Sequence, residues 1–297
     1  MFVRASRLCL VPAVALIAFA SAAPALAQEV DLRPRFKTGA ETRFAMAITG
    51  ANEFKAEAMP GGGQSTKIDQ EIDFTLKVKE VTDDGIATVD LTYDRMVMNV
   101  SGMFDLSFDS SKPTDEDAGN MLASALRPLI GSSLTMTIDR DGNITKVEGF
   151  DSLKLNPSAQ QMAGTLATAD GVKSTFGQVF STRKSDGRAN VGDTWTNVDS
   201  FSAGQMGTVK TSVKHTLKSH SGGMAKVDLV GDLAIEGGMM PELKLTTSEV
   251  TGNYIWDTEV GMLKSIETKQ TSTMQGNAGS GDMTINNTST MKLERKN

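Results

Sequence analysis

The chain has few of the residue types on which chemistry in proteins commonly depends. Its 297 residues include one cysteine, two histidines, two tryptophans and two tyrosines. The cysteine, Cys9, lies in an N-terminal segment with the pattern of a removable leader, so the rest of the chain has no thiol and no disulfide. The chain also has no Gly-x-Ser-x-Gly elbow, phosphate-binding loop or dinucleotide fingerprint. We therefore expect a protein that is not an enzyme and that needs no cofactor.

The residues that could hold a metal ion do not have a convincing arrangement. On a continuous strand, two ligands on one face are an even number of residues apart, whereas His215 and His220 are separated by an odd number and are expected on opposite faces. Residues 137–148 match part of a calcium-binding loop, with Asp139 and Asp141 at its third and fifth positions. Thr137 occupies the first ligand position, however, and the flanking residues alternate like strands. We predict a hairpin there and no metal site.

The N-terminus has the pattern of a secretory signal peptide. Arg4 and Arg7 precede an apolar run over residues 8–19, which is too short to span a membrane, and Ala25-Leu26-Ala27 supplies the small residues that a signal peptidase accepts. We predict cleavage after Ala27 and a soluble periplasmic or secreted protein. Removal of two arginines from 30 Lys and Arg leaves 28 against 36 Asp and Glu, a net charge of −8. This acidity argues against nucleic acid as a partner.

Alternation of apolar and polar residues dominates the remaining chain and predicts strands. The pattern is clear over residues 72–78 and 87–93, and it then changes phase near Asp94-Arg95, which indicates a β-bulge. Further strands and a hairpin are expected at 134–147, 207–219, 223–236, 244–257, 261–274 and 282–294. Because many strands are long, we predict a mainly β fold: a curved antiparallel sheet or half-barrel with one or two packed helices.

The domain organisation has two interpretations. Residues 28–297 are expected to form one β-rich domain, with a helical segment at 157–182. Residues 85–91 resemble residues 223–229, which is consistent with two related halves at about 40–150 and 190–297. The alternative is that generic hairpins have similar sequences.

Methionine is unusually frequent, with 17 in the chain. Five fall at positions expected to face the inside of the sheet: Met96, Met98, Met136, Met283 and Met291. Flexible thioether side chains can line a pocket for varied apolar ligands, and they can equally fill an irregular core. We take these five as candidate ligand-binding residues.

Three segments carry a resemblance to a known group of proteins. The segments 30–41, 191–195 and 254–263 resemble parts of a family of uncharacterised bacterial exported proteins, which implies no established activity. The expected architecture is also similar to that of the periplasmic lipoprotein carriers, which hold acyl chains in a concave half-barrel. That similarity implies a lipid or a lipidated protein as partner.

Three functions are compatible with these expectations. The first is binding of an apolar ligand or lipidated partner in the concave face of the sheet. The second is an envelope scaffold with a filled core and no ligand. The third, a hydrolase, would need a cluster of perturbed titratable groups in a cleft.

Overall fold

The computed structural model describes residues 29–56, 63–102, 105–153, 155, 157–202, 207–237, 243–277 and 281–296. The predicted signal peptide and its cleavage point lie outside these residues. Within the described part of the chain, no helix combines the length and the apolar composition needed to cross a membrane.

Long strands make up most of the described residues, and three short α-helices accompany them. The strands are β1 (Val30–Asp31), β2 (Glu41–Ala56), β3 (Gly63–Val81), β4 (Ala87–Ser101), β5 (Leu106–Asp109), β6 (Ser133–Ile138), β7 (Ile144–Glu148), β8 (Arg188–Ala189), β9 (Thr194–Ser202), β10 (Thr208–Ser221), β11 (Met224–Glu236), β12 (Lys244–Asp257), β13 (Met262–Asn277) and β14 (Asp282–Lys296). The helices are α1 (Met121–Leu126), α2 (Pro157–Ala163) and α3 (Ala169–Phe180). Short 3-10 turns occur at Thr114–Asp117, Arg127–Leu129, Phe150–Leu153 and Gly164–Ala167.

Twelve of the strands form one antiparallel sheet that is not closed into a barrel. Its order is β7-β6-β4-β3-β2-β14-β13-β12-β11-β10-β9, with β5 paired to β4, and β1 pairs separately with β8. Each half of the sheet is an up-and-down meander, and the halves meet where β2 pairs with β14. The expected mainly β class is confirmed. Whether the two meanders are related by duplication stays a prediction.

The predicted bulge on β4 is confirmed at Asp94. Arg95 pairs with Asp73 and Tyr93 pairs with Phe74, so Asp94 is the one extra residue on its strand. An extra residue exchanges the faces of the positions that follow. The bulge therefore keeps Met96 on the same face as Tyr93.

One face of the sheet, which we call the inner face, carries the core. A row of apolar residues crosses eight strands from β4 to β10, and each member is at most 7% exposed. The row consists of Met96, Ile72, Met46, Leu293, Ile266, Tyr254, Val227 and Leu217. The opposite, outer face carries mainly polar and charged residues, as in Lys67, Asp69, Glu71 and Asp73 of β3.

Helix α3 packs on the inner face. The Thr168 hydroxyl caps its N-terminus by accepting a hydrogen bond from the Gly171 amide at 3.2 Å. Val172, Phe176 and Val179 recur at helical spacing and are fully buried. The Phe176 ring meets Phe74 of β3 edge-on, with the ring centroids 4.9 Å apart. The helix thereby covers the inner face near β3.

Candidate ligand-binding cleft

A cleft of about 370 Å³ opens on the inner face, at the end of the sheet where β3 turns into β4. This volume falls in the range of roughly 300–1,000 Å³ that is typical of small-molecule sites. The cleft is lined by Arg35, Phe36, Lys37, Ala40, Thr42, Leu76, Val78, Val89, Phe180, Glu259, Val260 and Met262. We refer to it below as the inner-face cleft.

The floor of the inner-face cleft is apolar. Leu76 and Val78 of β3 and Val89 of β4 occupy inner-face positions and are at most 4% exposed. Phe180, the last residue of α3, and Met262, the first of β13, close the sides. An aliphatic group placed here would contact carbon on most sides and would leave water.

The N-terminal segment forms one wall because backbone hydrogen bonds hold it to the rest of the fold. The amide of Leu32 donates to the carbonyl of Gly187 at 2.7 Å, and the amide of Gly39 donates to the carbonyl of Val78 at 2.8 Å. The Phe36 ring lies 6.0 Å from that of Phe180. Arg35 and Lys37 are thereby placed at the opening of the cleft.

The turn between β12 and β13 forms the facing wall. The Asp257 carboxylate accepts hydrogen bonds from the amides of Glu259 and Val260, both at 3.0 Å, and Arg295 Nη2 donates to its other oxygen at 2.5 Å. Burial alone would raise the pKa of Asp257, but these donors outweigh burial and hold the pKa below its ordinary value. Asp257 is therefore a charged anchor that fixes this turn.

Gly261 lets the two walls meet. Its φ of 65° lies in the left-handed region, and a Cβ at this position would lie 2.3 Å from the Arg35 amide nitrogen. That amide donates to the Gly261 carbonyl at 3.3 Å. A side chain at position 261 would push the N-terminal segment away from the cleft.

The opening of the cleft carries three charged side chains, Arg35, Lys37 and Glu259, all of them exposed. Arg35 Nη2 lies 3.6 Å from an oxygen of Asp31, whereas Arg33 donates to Asp31 twice, at 2.9 and 2.8 Å. The Arg33 hydrogen bond is the main cause that lowers the pKa of Asp31 to about 2. Asp31 is therefore engaged chiefly by Arg33. Among the described residues, Lys37 and Glu259 form no ion pair.

The five methionines predicted to contact a ligand occupy three different environments. Met96 and Met136 lie in the core, and Met136 pairs with Val89, next to the cleft floor. Met98 and Met291 are half-buried members of one cross-strand row, separated by two strands, and Gln178 Nε2 lies 3.4 Å from the Met291 sulfur. Met283 lies at the far end of β14, opposite Ala56. None of the five lines the inner-face cleft, and their role as ligand contacts stays a prediction.

The two histidines lie on the same face, so the expectation from their spacing is wrong. A bulge at Lys218 adds one residue between them, which the alternation argument did not include. His215 Nε2 lies 3.0 Å from Asn197 Nδ2, and its ring stacks on Trp195. His220 Nε2 lies 3.2 Å from the Thr258 hydroxyl. Across the residues that the structure describes, no three His, Cys, Asp or Glu side chains form a group suited to a metal ion.

The segment that matched part of a calcium loop is a hairpin turn. The Asp139 carboxylate accepts hydrogen bonds from the amides of Asp141 and Asn143 at 3.0 and 2.8 Å. This is the local pattern by which Asp stabilises turns. The hairpin predicted at 134–147 is confirmed as β6 and β7.

A second cleft of about 560 Å³ is polar and more open. It lies between the tip of this hairpin, α3 and β9, and its lining includes Lys173, Arg183, Lys184, Asp141 and Asp199. Arg183 forms an ion pair with Asp199 across it, and Lys184 pairs with Asp186. Polar surface exceeds apolar surface in this lining, whereas apolar surface dominates the inner-face cleft, so the second cleft is less suited to an apolar ligand.

Sequence reasoning did not identify the residues of the inner-face cleft as a site. A signal existed, because two of the three segments for which the sequence predicted a family resemblance, 30–41 and 254–263, supply most of the two facing walls. Nothing in either segment by itself indicated that they face each other. Only the tertiary structure brings them together.

Comparison with solved structures shows a likeness of fold to lipovitellin. A lipovitellin structure, described by the words "lipid-protein interactions in lipovitellin", matches with a TM-score of 0.51 and 13% identity, over 89% of this chain and 26% of that one. The chain thus spans about a quarter of lipovitellin, and the likeness concerns the fold alone. DynF from the dynemicin biosynthesis pathway of Micromonospora chersina (8% identity, 91% and 86% coverage) and an outer membrane channel from Pseudomonas putida F1 (7% identity, 89% and 97% coverage) each have a TM-score of only 0.20.

The sequence comparisons place the chain in a family. No curated protein matches it. The model of a family described as "Family of unknown function (DUF6263)" matches residues 84–294, from the turn that precedes β4 to a point two residues before the end of β14. Because this match covers more than half of the chain, the protein belongs to that family of unknown function.

Proposed function

We propose that this protein is an exported, non-enzymatic binding protein that holds an apolar ligand, either a lipid or the acyl chain of a lipidated partner, in the inner-face cleft. The observation that carries the proposal is the apolar floor of a cleft of about 370 Å³ on the inner face of a long-stranded sheet. Burial of one methylene group in such a floor contributes about 0.8 kcal/mol, so a short aliphatic chain gains useful affinity.

The likeness to lipovitellin supports the proposal at the level of architecture. The words under which that protein is described concern lipid, and the shared feature is the fold of the sheet. Similarity of fold alone is a weak basis for function. The cleft is therefore the main support, and the likeness adds only that a protein with a similar fold over part of its length is described by its interactions with lipid.

The scaffold interpretation has one observation in its favour. The row of buried residues from β4 to β10 forms one hydrophobic core together with buried residues of α1, α2 and α3, and Met96 and Met136 belong to this filled core. A scaffold needs nothing more than such a core. The two functions therefore differ in whether the inner-face cleft takes up a ligand, which can be measured directly.

Substitution of Ala40 by tryptophan tests the proposal, because Ala40 lines the cleft and a large ring there would fill it. We expect the mature wild-type protein, residues 28–297, to bind the uncharged fluorescent probe N-phenyl-1-naphthylamine. The variant A40W should bind it at least about tenfold more weakly, a change of about 1.4 kcal/mol. The matched control is A47W, which places the same ring at an exposed outer-face position of β2.

Native mass spectrometry of the protein purified without detergent from the periplasm supplies the second measurement. An added mass that organic solvent removes, present in wild type and A47W and absent in A40W, is the expected result. A bare polypeptide mass together with no probe uptake by the wild-type protein would contradict the proposal and favour the scaffold.

A further inference from the structure

We infer that the ligand of the inner-face cleft is a single-chain amphiphile with an anionic head group, its tail on the apolar floor and its oxyanion at Lys37 and Arg35. This inference rests on the proposed function and adds to it the chemical class of the ligand and its direction in the cleft. A fatty acid and a single-chain phosphate ester share this chemistry.

The direction follows from the separation of apolar and charged surface within the cleft. The buried lining is apolar and includes Leu76, Val78 and Phe180. The charged lining, Arg35, Lys37 and Glu259, is confined to the exposed opening. A wholly apolar ligand would use only the first surface, whereas an amphiphile uses both and keeps its head group in contact with water.

The sign of the head group follows from which charges at the opening are free. The Arg35 guanidinium has five donors, and among the described residues its one ion-pair contact is the 3.6 Å approach to Asp31. Asp31 already accepts two side-chain hydrogen bonds from Arg33. Lys37 forms no ion pair within the described part of the chain. Two cations with unused donors therefore face a ligand at the opening.

The negative charge of Glu259 compensates only part of the positive charge of Arg35 and Lys37. Two cations and one carboxylate leave a local excess of one positive charge, in a chain whose formal net charge is −6. An anion is repelled by the chain as a whole, so a local positive excess at the opening of an apolar cleft is the arrangement that can still attract one. Glu259 should weaken the binding of anions, and its removal should strengthen it.

The number of chains follows from the size of the cleft. A volume of about 370 Å³ lies near the lower end of the range for ligand sites, which is roughly 300–1,000 Å³. The floor is bounded by Phe180 on one side and Met262 on another. One aliphatic chain fits this space better than two.

The test compares ligands that share a tail and differ in the head group. Laurate, dodecyl phosphate and dodecanol are titrated against N-phenyl-1-naphthylamine bound to the mature protein at low and high salt. We expect each anion to bind about three- to fivefold more tightly than dodecanol at low salt, because an exposed ion pair contributes up to about 1 kcal/mol, which is about fivefold. High salt should reduce the difference in affinity between the anions and dodecanol, because salt screens the exposed charges. Inorganic phosphate alone should displace no probe.

Charge variants assign the effect to the cleft. K37E should abolish the preference for the anions over dodecanol, K37R should retain this preference, and E259Q should increase it. The matched control is K269E, which makes the same change of charge at an exposed outer-face position of β13.

The outcomes separate this inference from the proposed function. If dodecanol and laurate bind equally, or if K37E and K269E weaken laurate equally, the anionic head group is overturned and apolar binding stands. If inorganic phosphate displaces the probe as well as dodecyl phosphate does, the tail has no role and the inference also fails. If no long-chain compound binds the wild-type protein, the proposed function fails and this inference fails with it.

Discussion

His215 is a buried histidine whose protonation is coupled to folding. It is 9% exposed, its ring lies between those of Trp195 and Tyr254, and its Nδ1 has no hydrogen-bond partner among the described residues. Burial is the main cause that lowers its pKa to about 4, and the positive charge of Arg183 lowers it further. The imidazole is therefore neutral at pH 7.

The lowered pKa predicts a loss of stability in mild acid. The unfolded chain takes up the proton near the ordinary pKa of 6.5, and the folded protein does so only near 4. The stabilisation is thus fully present above pH 6.5 and is lost as the pH falls toward 4, by about 2 kcal/mol between pH 7.5 and 4.5. Denaturant unfolding of wild type and H215Q at both pH values measures this loss of stability. We expect the free energy of unfolding of H215Q to fall by about 2 kcal/mol less than that of the wild type between these pH values. Equal losses would contradict the prediction, as would an NMR titration of His215 near pH 6.5.

Bulges within the strands decide which side chains share a face of the sheet. The phase change at Asp94 was visible in the sequence because apolar residues continue on both sides of it. The bulge at Lys218 was not visible, since Lys218, Ser219 and His220 are all polar and show no phase. A bulge can be predicted from a sequence only where alternation continues past it.

The tip of the β6–β7 hairpin supports the cleft through Gly142. Its φ is 86°, and a Cβ there would lie 2.1 Å from the carbonyl oxygen of Phe180, which lines the cleft. We expect G142A to lower the free energy of unfolding by about 2–4 kcal/mol and to weaken probe binding, because the end of α3 must move.

The matched control for G142A is G131A. Gly131 also has a positive φ, of 72°, but nothing lies within 4 Å of the position that an alanine Cβ would take there. G131A should therefore cost only about 1 kcal/mol and leave binding unchanged. Chemical denaturation and probe titration of G142A and G131A separate the cost of backbone strain from the cost of the clash with Phe180. If the two variants lose the same stability and the same probe affinity, the hairpin tip does not support the cleft.

The whole molecule depends on the pairing of β2 with β14, which joins two meanders into one sheet. Leu293 lies on this seam opposite Met46 and is 1% exposed. We expect L293A to lower the free energy of unfolding by about 2–5 kcal/mol, as for other buried leucines. Tryptophan fluorescence, which reports on the second meander, and far-UV circular dichroism, which reports on all strands, should shift together.

The control for this prediction is V230A on the outer face of β11, where the side chain is largely exposed. It should change stability by less than about 0.5 kcal/mol. Separate fluorescence and circular-dichroism transitions in L293A would contradict a single cooperative sheet and would indicate that each meander unfolds by itself.

Local patterns in the sequence were sufficient to predict the class of the fold and most of its strands. Alternation is a local property, because successive side chains on a strand point to opposite faces, and it survives in segments such as 72–78 whatever lies next to them. It also placed the long strands of the second meander, the β6–β7 hairpin and the bulge at Asp94.

The position of the candidate ligand site follows from contacts between distant parts of the chain, which local patterns do not reveal. The walls of the cleft come from residues about 220 positions apart, such as Lys37 and Glu259, and they meet because β2 pairs with β14 and because Gly261 admits the backbone of Arg35. Met96 and Met136 are the opposite case, because they were predicted as ligand contacts and are buried. Alternation correctly placed them on the inner face, but it could not show that other parts of the fold cover them there. Facing direction is set by neighbours along the chain, whereas exposure is set by whichever element packs on that face.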